Sequence, residues 1–236
     1  MKPFVFGHRG AMAYEPENTL RSFKKAIDLG VDGIEFDVRR CKSGEIAVIH
    51  DEKVDRTTNG KGYVKDLSSS ELKKFDAGKG ERIPTLEELV LFIKKLKKKK
   101  QIKLILELKD KDIEKNVIDS IEKYAMTDDT IVISFYHEFV KNIKKINEKI
   151  KTGILFAQSM ANAPKTAKEI NAEFLFPRFN CVDENLIKNA HKNKLKVFVW
   201  NIDDIGNLKK MLELKVDGIG SNKPDVVVEN LMKNNS

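Results

Sequence analysis

Gly33-Ile34-Glu35-Phe36-Asp37-Val38-Arg39-Arg40-Cys41-Lys42-Ser43-Gly44-Glu45-Ile46-Ala47-Val48-Ile49-His50 holds two short apolar segments joined by a turn. Gly33–Val38 alternates apolar and acidic side chains, and Ile46–His50 is an apolar run ending in histidine. Between them lie only Arg39–Glu45, with Lys42-Ser43-Gly44-Glu45 reading as the turn. A parallel crossover needs roughly a dozen residues or more, usually including a helix. Ile46–His50 is therefore expected to fold back antiparallel on an extension of its predecessor.

Setting that arm aside fixes the strand count. The remaining strand candidates are Phe4–His8, Gly33–Val38, Lys103–Leu108, Thr130–Phe135, Thr152–Phe156, Glu173–Phe176, Val197–Trp200 and Gly218–Gly220. Helical patterns lie between most of them. Leu20, Phe23, Ala26 and Ile27 recur at helical spacing after Asn18, read as the N-cap. Leu86, Leu89, Val90, Ile93 and Leu96 follow Thr85, which with Glu88 matches a capping box. Asp183 and Asp204 precede two further periodic runs. Strand–helix alternation of this length predicts an α/β fold, a (β/α)8 TIM barrel. Residues 1–236 are expected to form one domain. Asp51 to about Arg82 carries turn chemistry and one short capping box at Ser68 and Glu71, and reads as a small insertion over the barrel mouth.

Composition limits function without naming it. The chain has 236 residues, 41% hydrophobic and 34% charged, with a net charge of +8. A basic balance suits nucleic acid, anionic surfaces or phosphorylated substrates. The lysines at 94, 95 and 97–100 fall on the polar side and tail of a helix, where a solvated face is expected. They carry no interleaved aromatics to stack bases, so no nucleic-acid partner is expected. Two cysteines, Cys41 and Cys181, provide neither a disulfide framework nor metal-ligand spacing. The chain shows no signal-peptide pattern and no apolar run of the ~20 residues that span a bilayer. A cytoplasmic protein without integral membrane association is expected. Gly218-Ile219-Gly220 begins a GxG without the third glycine in register, and counts as no more than a tight turn.

In a β/α barrel the carboxyl ends of the strands line the functional site. Those ends hold His8-Arg9-Gly10, Glu35 and Asp37, His50-Asp51, Glu107-Leu108-Lys109, and Trp200-Asn201. Side chains two apart on a strand share a face, so Glu35 projects with Asp37 and Glu107 with Lys109. Each carboxylate alone is an ordinary ion-pair partner for Arg9 or Lys109. Together, three converging carboxylates make an oxygen site suited to Mg²⁺ or Ca²⁺ rather than zinc. His8 and His50 fall at the same mouth, where two imidazoles can divide acid and base work. His137 and His191 fall in helical segments and read as structural. A metal, two proton carriers and two cations are equipment for phosphoryl transfer.

The order of these segments also resembles the glycerophosphodiester phosphodiesterases. Gly7-His8-Arg9-Gly10, Pro16-Glu17-Asn18-Thr19, Glu35-Phe36-Asp37-Val38 and His50-Asp51 carry the likeness. So do Arg56-Thr57-Thr58-Asn59-Gly60, Ile83-Pro84-Thr85-Leu86, Glu107-Leu108-Lys109 and Val199-Trp200. The resemblance implies His8 and His50 as the acid/base pair, and Glu35, Asp37 and Glu107 as metal ligands. It puts Arg9 and Lys109 on the phosphate and Trp200 against the glycerol or head group. The implied reaction yields glycerol 3-phosphate and an alcohol from a small-molecule glycerophosphodiester, with a lysophospholipase D on membrane-derived substrates as the nearest alternative. A non-catalytic phosphate or nucleic-acid binding module is the alternative from another class. One departure stands out: Ser221-Asn222 occupies a place where the family often has Thr-Asp, and Asn222 is expected to touch none of the proposed site residues.

Overall fold

The computed structural model describes residues 2–96 and 101–233. Its strands are β1 (Phe4–Gly7), β2 (Gly33–Arg40), β3 (Ile46–Val48), β4 (Lys103–Leu108), β5 (Thr130–Ser134), β6 (Lys151–Phe156), β7 (Phe174–Pro177), β8 (Lys196–Val199) and β9 (Gly218–Ser221). β1, β2 and β4 to β9 pair in parallel, each with the next, and β9 returns to β1 to close a barrel. β3 alone is antiparallel, with Val38 opposite Val48 and Arg40 opposite Ile46. Gly44, at φ 96°, takes the left-handed conformation that reverses the chain between them.

The helices are α1 (Leu20–Asp28), α2 (Ser69–Leu72), α3 (Leu86–Leu96), α4 (Glu114–Lys123), α5 (His137–Ile146), α6 (Ala163–Glu169), α7 (Glu184–Lys192), α8 (Ile205–Glu213) and α9 (Pro224–Lys233). Asp183 and Asp204 cap α7 and α8 through the backbone N–H of Leu186 and Asn207. Thr85 and Glu88 exchange the two bonds of a capping box at α3, as Ser68 and Glu71 do at α2. The α1 cap differs from the sequence reading: Thr19, not Asn18, accepts from the Ser22 N–H. Asn18 sits at φ 57° with its side chain committed to Asp37 instead. Lys97 to Lys100 lie outside the described residues. No described helix is long and apolar enough to cross a membrane.

Apolar side chains pack in three places. The largest cluster fills the space between the strands and the outer helices. A second, of Cys41, Ala47, Ile49, Val54, Val64, Leu72, Ala77 and Ile83, lies under residues 51–82 and anchors that segment to the β2–β3 hairpin. The third fills the barrel interior with Phe6, Phe174, Phe176 and Phe198 among aliphatic neighbours. Glycine makes room for these rings. A Cβ on Gly220 would meet the Phe6 ring at 2.4 Å, and one on Gly218 would meet the Phe198 ring at 2.6 Å. Gly218-Ile219-Gly220 is the strand expected of it, closing the barrel, and not the tight turn its GxG suggested; its glycines are the small half of a large–small interlock.

Adding a methyl group here overpacks a site walled by rigid rings. Gly220→Ala is expected to destabilise by about 1–3 kcal/mol, measured by urea unfolding. Phe6→Leu should recover part of that loss in the double variant, and additive losses would show that the contact is relieved elsewhere.

Candidate functional site

Register brings the acidic residues together. Asp37 on β2 lies opposite Glu107 on β4 in the parallel pair, and Glu35 precedes Asp37 on the same face. Carboxylate oxygens of Glu35, Asp37 and Glu107 lie within 4.8 Å of one another, and all three residues are buried. Beyond β3 the chain stays bonded to β2, Ile49 N–H donating to the Asp37 carbonyl at 2.9 Å. Arg39 Nε reaches the His50 carbonyl at 2.9 Å. The hairpin therefore carries His50 to the carboxylates.

Arg9 and Lys109 join the cluster. Arg9 Nε lies 3.3 Å from Asp37 Oδ2, and its backbone N–H donates to Glu35 Oε2 at 2.9 Å. Lys109 Nζ lies 2.5 Å from Glu107 Oε1 and 3.1 Å from Asp37 Oδ1. The contact to Asp37 Oδ1 lacks hydrogen-bonding geometry, leaving that buried oxygen without a hydrogen bond. Three carboxylates thus face two cations, and their titration reflects the imbalance. Burial, then Asp37 and Glu107, raise Glu35 well above the usual carboxyl range. Burial and Asp37 push Glu107 up to about 7 against the pull of Lys109. Asp37 goes the other way: burial would raise it, but Lys109, Arg9 and His50 together hold it low.

Both histidines are held by Nδ1. His50 Nδ1 lies 2.6 Å from Asp51 Oδ1, and a carboxylate can only accept, so Nδ1 carries the proton. Arg56 grips Asp51 at 2.6 Å and Glu17 at 2.7 Å, and Glu17 in turn accepts from Arg9 at 2.8 Å. His8 Nδ1 lies 2.7 Å from Asn222 Oδ1. The Asn222 amide is oriented by Asp203, which accepts from its Nδ2 at 2.5 Å and from its backbone N–H at 2.7 Å. His8 Nδ1 cannot donate to Asn222 and accept from Asn201 Nδ2 at 3.2 Å together. The shorter, anchored contact sets it as the donor. Each ring then offers Nε2 as its unprotonated nitrogen, and for His8 that atom is 3.9 Å from Glu35. Burial lowers both imidazoles, His8 to about 4.

The expectation that Asn222 touches no site residue is overturned, because the β9–α9 loop delivers it to His8. Sequence reading also gave no site role to Glu17, Asn18, Asp51, Arg56 or Asp203. Asp51 and Arg56 stood inside quoted motifs, but Arg56 also reaches Glu17, 39 positions away, and no local spacing shows that link. His137 and His191 stay apart from the cluster, bonded to the Leu155 carbonyl and to Asp217. A cavity of about 290 Å³ opens on the site, with His8, Arg9, Glu35, His50, Glu107 and Lys109 on its polar side. Phe6, Phe135, Phe176 and Trp200 form its apolar side. Trp200 is fixed there by its Nε1–H, which donates to the Phe176 carbonyl at 2.9 Å.

Residues 8–226 match the model of the glycerophosphoryl diester phosphodiesterase family. The chain belongs to this family. It is 36% identical to a glycerophosphodiester phosphodiesterase of Caldanaerobacter subterraneus subsp. tengcongensis, over 99% of each chain. A crystal structure of a glycerophosphodiester phosphodiesterase from Thermotoga maritima shares 26% identity at a TM-score of 0.83, covering 98% of this chain and 99% of that one. A phosphodiesterase from Oleispira antarctica, solved with the product sn-glycerol-3-phosphate, shares the fold with a TM-score of 0.87 and 24% identity over 98% and 97% of the two chains. The barrel mouth described above falls within the span that this family model matches.

The raised carboxyls have a consequence for stability without metal. The folded protein holds the protons of Glu35 and Glu107 more tightly than the unfolded chain, whose carboxyls titrate near 4.5. The stability so gained is complete below 4.5 and is lost as pH rises through the folded values, about 7 for Glu107. Glu35→Gln removes one ionising group from that balance. In thermal melts of chelator-treated protein it is expected to gain Tm over the parent at pH 8, with the gap closing toward pH 5. An equal gap at both pH values would show that the effect is not ionisation.

Proposed function

We propose that this protein hydrolyses glycerophosphodiesters to glycerol 3-phosphate and an alcohol, with Glu35, Asp37 and Glu107 holding one divalent cation, Mg²⁺ or Ca²⁺. The observation that carries this reading is one cavity lined by two Nδ1-anchored histidines, two cations, Glu35 and Glu107, with the buried Asp37 carboxylate in the same acidic cluster. Family membership and the product named for the Oleispira antarctica relative support it. The donor set fits a hard cation: all three ligands are oxygen, and a buried Asp37 oxygen lacks a hydrogen bond. Bound there, a divalent ion would neutralise a phosphate oxygen and acidify a hydroxyl beside it.

The remaining chemistry belongs to the chain. Arg9 and Lys109 meet the non-bridging oxygens. One of His8 and His50 accepts the nucleophile's proton at Nε2, and the other, protonated at Nε2 from solvent beforehand as the imidazolium, passes that proton to the departing alcohol. Burial keeps His8 neutral near pH 7, the state in which it can accept. Trp200 and Phe176 pack against the glycerol. The nucleophile is either water or the substrate's own C2 hydroxyl, which has a proximity advantage and would give a cyclic phosphate first. A 2-deoxy substrate separates the two, since only the internal route loses its nucleophile.

Exhaustive chelation is expected to abolish turnover reversibly, and separate return of Mg²⁺, Ca²⁺ and Mn²⁺ identifies the ion. His8→Ala and His50→Ala should each lower kcat by about 10²-fold or more, with the double variant little worse than the poorer single one. His191→Ala should be nearly silent. Full activity after chelation would leave the carboxylates as ion-pair partners only. Absence of turnover on every glycerophosphodiester and lysolipid, together with salt-sensitive nucleic-acid binding, would establish the binding-module reading instead.

A further inference from the structure

A second cavity, of about 460 Å³, adjoins the first, and Lys109 lines both. Its walls come from the end of β2, the segment after β3, the loop after β4 and the start of α5. Five cations line it, Arg39, Arg40, Lys65, Lys109 and Lys111, against two carboxylates, Glu52 and Asp110. Asp110 is already satisfied, by Arg39 NH1 at 2.5 Å and the Arg40 backbone N–H at 3.0 Å. Among the described residues, Arg40, Lys65 and Lys111 form no ion pair. Arg40 instead donates to the Asp112 carbonyl, and Lys65 lies 5.5 Å from the Tyr63 ring centre. Tyr63 and Tyr136, 40% and 60% exposed, stand at the rim with Phe139.

A phosphodiester has two ester arms on one phosphorus. If Lys109 meets the phosphate, the glycerol arm fits the smaller cavity against Trp200, and the other arm is directed across Lys109 into the larger one. Lys53 and Lys65 already lie over the Tyr63 ring, so that face offers nothing to a quaternary ammonium, and the unpaired cations repel one. We propose that this second cavity is the leaving-group subsite, and that it selects glycerophosphodiesters whose departing alcohol carries a further anionic group, a phosphate or a carboxylate. The inference rests on the activity proposed above and names the substrate class for the same site.

Three substrates sharing the sn-glycero-3-phospho half separate the cases: glycerophosphocholine, glycerophosphoglycerol, and glycerophosphoglycerol bearing a phosphate monoester on its far hydroxyl. A cleft with an excess of one charge sign raises productive encounter by about ten-fold or more, so kcat/KM should rise by about that factor from the choline to the phosphate-bearing substrate. The advantage should shrink as salt is raised. Lys65→Gln with Lys111→Gln should remove most of it while leaving the neutral substrate within about two-fold, as for surface changes away from the chemistry. The double replacement by Glu should reverse the order. Equal kcat/KM for the three substrates overturns the subsite, as does a preference that survives both double variants or a loss shared equally by all three. Failure to turn over any of the three would fault the activity itself, and is thereby distinguished from failure of the subsite.

Discussion

Three buried carboxylates crowd one point of the barrel mouth, with two cations, Arg9 and Lys109, against them among the described residues. Most of the architecture at that end follows from this constraint. Ionised carboxylates buried without compensation are costly enough to favour protonation, and burial raises Glu35 and Glu107 in that direction. Asp37 escapes because Lys109 and Arg9 sit on either side of it and Asn18 holds its backbone and side chain. The site is therefore not relaxed: it keeps an acidic excess that simpler ion pairing would have removed. A cation is the ligand that such an excess favours, and the stability it withholds from the metal-free fold is the stability that binding could return.

Holding that cluster requires elements far apart in the chain. β2 and β4 set the carboxylates by register, while the hairpin after β2 brings His50 back on the hydrogen bond between Ile49 and Asp37. Arg56, from residues 51–82, bonds Asp51 and Glu17 at once, so the support of His50 is tied to the support of Arg9. His8 is steadied from the opposite end of the sequence, through Asn222 and Asp203. The two imidazoles differ in the charge behind them. A carboxylate backs His50 and favours its charged form, whereas a neutral amide backs His8 and fixes the tautomer without lending negative charge. That asymmetry gives the two rings unequal proton affinity before any substrate binds.

Much of this was legible in the sequence because it rests on local rules. The short Arg39–Glu45 connection forbids a parallel crossover, so β3 had to be the odd strand, and the count of eight followed. The i, i+2 spacing put Glu35 with Asp37 and Glu107 with Lys109, and the structure brings all four together. What could not be read depends on three-dimensional closure. Asn18 looks like a cap because its neighbours are helical, yet a left-handed backbone turns its amide to Asp37 and leaves the cap to Thr19. Asn222 reaches His8 across 214 positions, a contact created only when β9 pairs with β1. Gly218–Gly220 could be counted as a strand, but its glycines read as turn chemistry because nothing local reveals the phenylalanines that need their space.

Those phenylalanines connect stability to chemistry. Phe6 and Phe176 belong to the plug that fills the barrel, and the same rings line the candidate site beside Trp200. An apolar lining excludes water from one side of the carboxylates, which raises the penalty for ionising Glu35 and strengthens every charge interaction above it. The phenylalanine rings pack against strand glycines, and Trp200 is fixed beside them by its hydrogen bond to the Phe176 carbonyl. A change that loosens the plug, such as trimming Phe176, would therefore reach the site electrostatically as well as sterically. Water admitted among the rings would let Glu35 ionise more readily, weaken the hold of Arg9 and Lys109 on a phosphate, and lower selectivity before it unfolded the barrel. The interlock of glycine and phenylalanine sets the dielectric in which the acidic cluster operates, and so a packing feature of the fold becomes a term in the chemistry of its mouth.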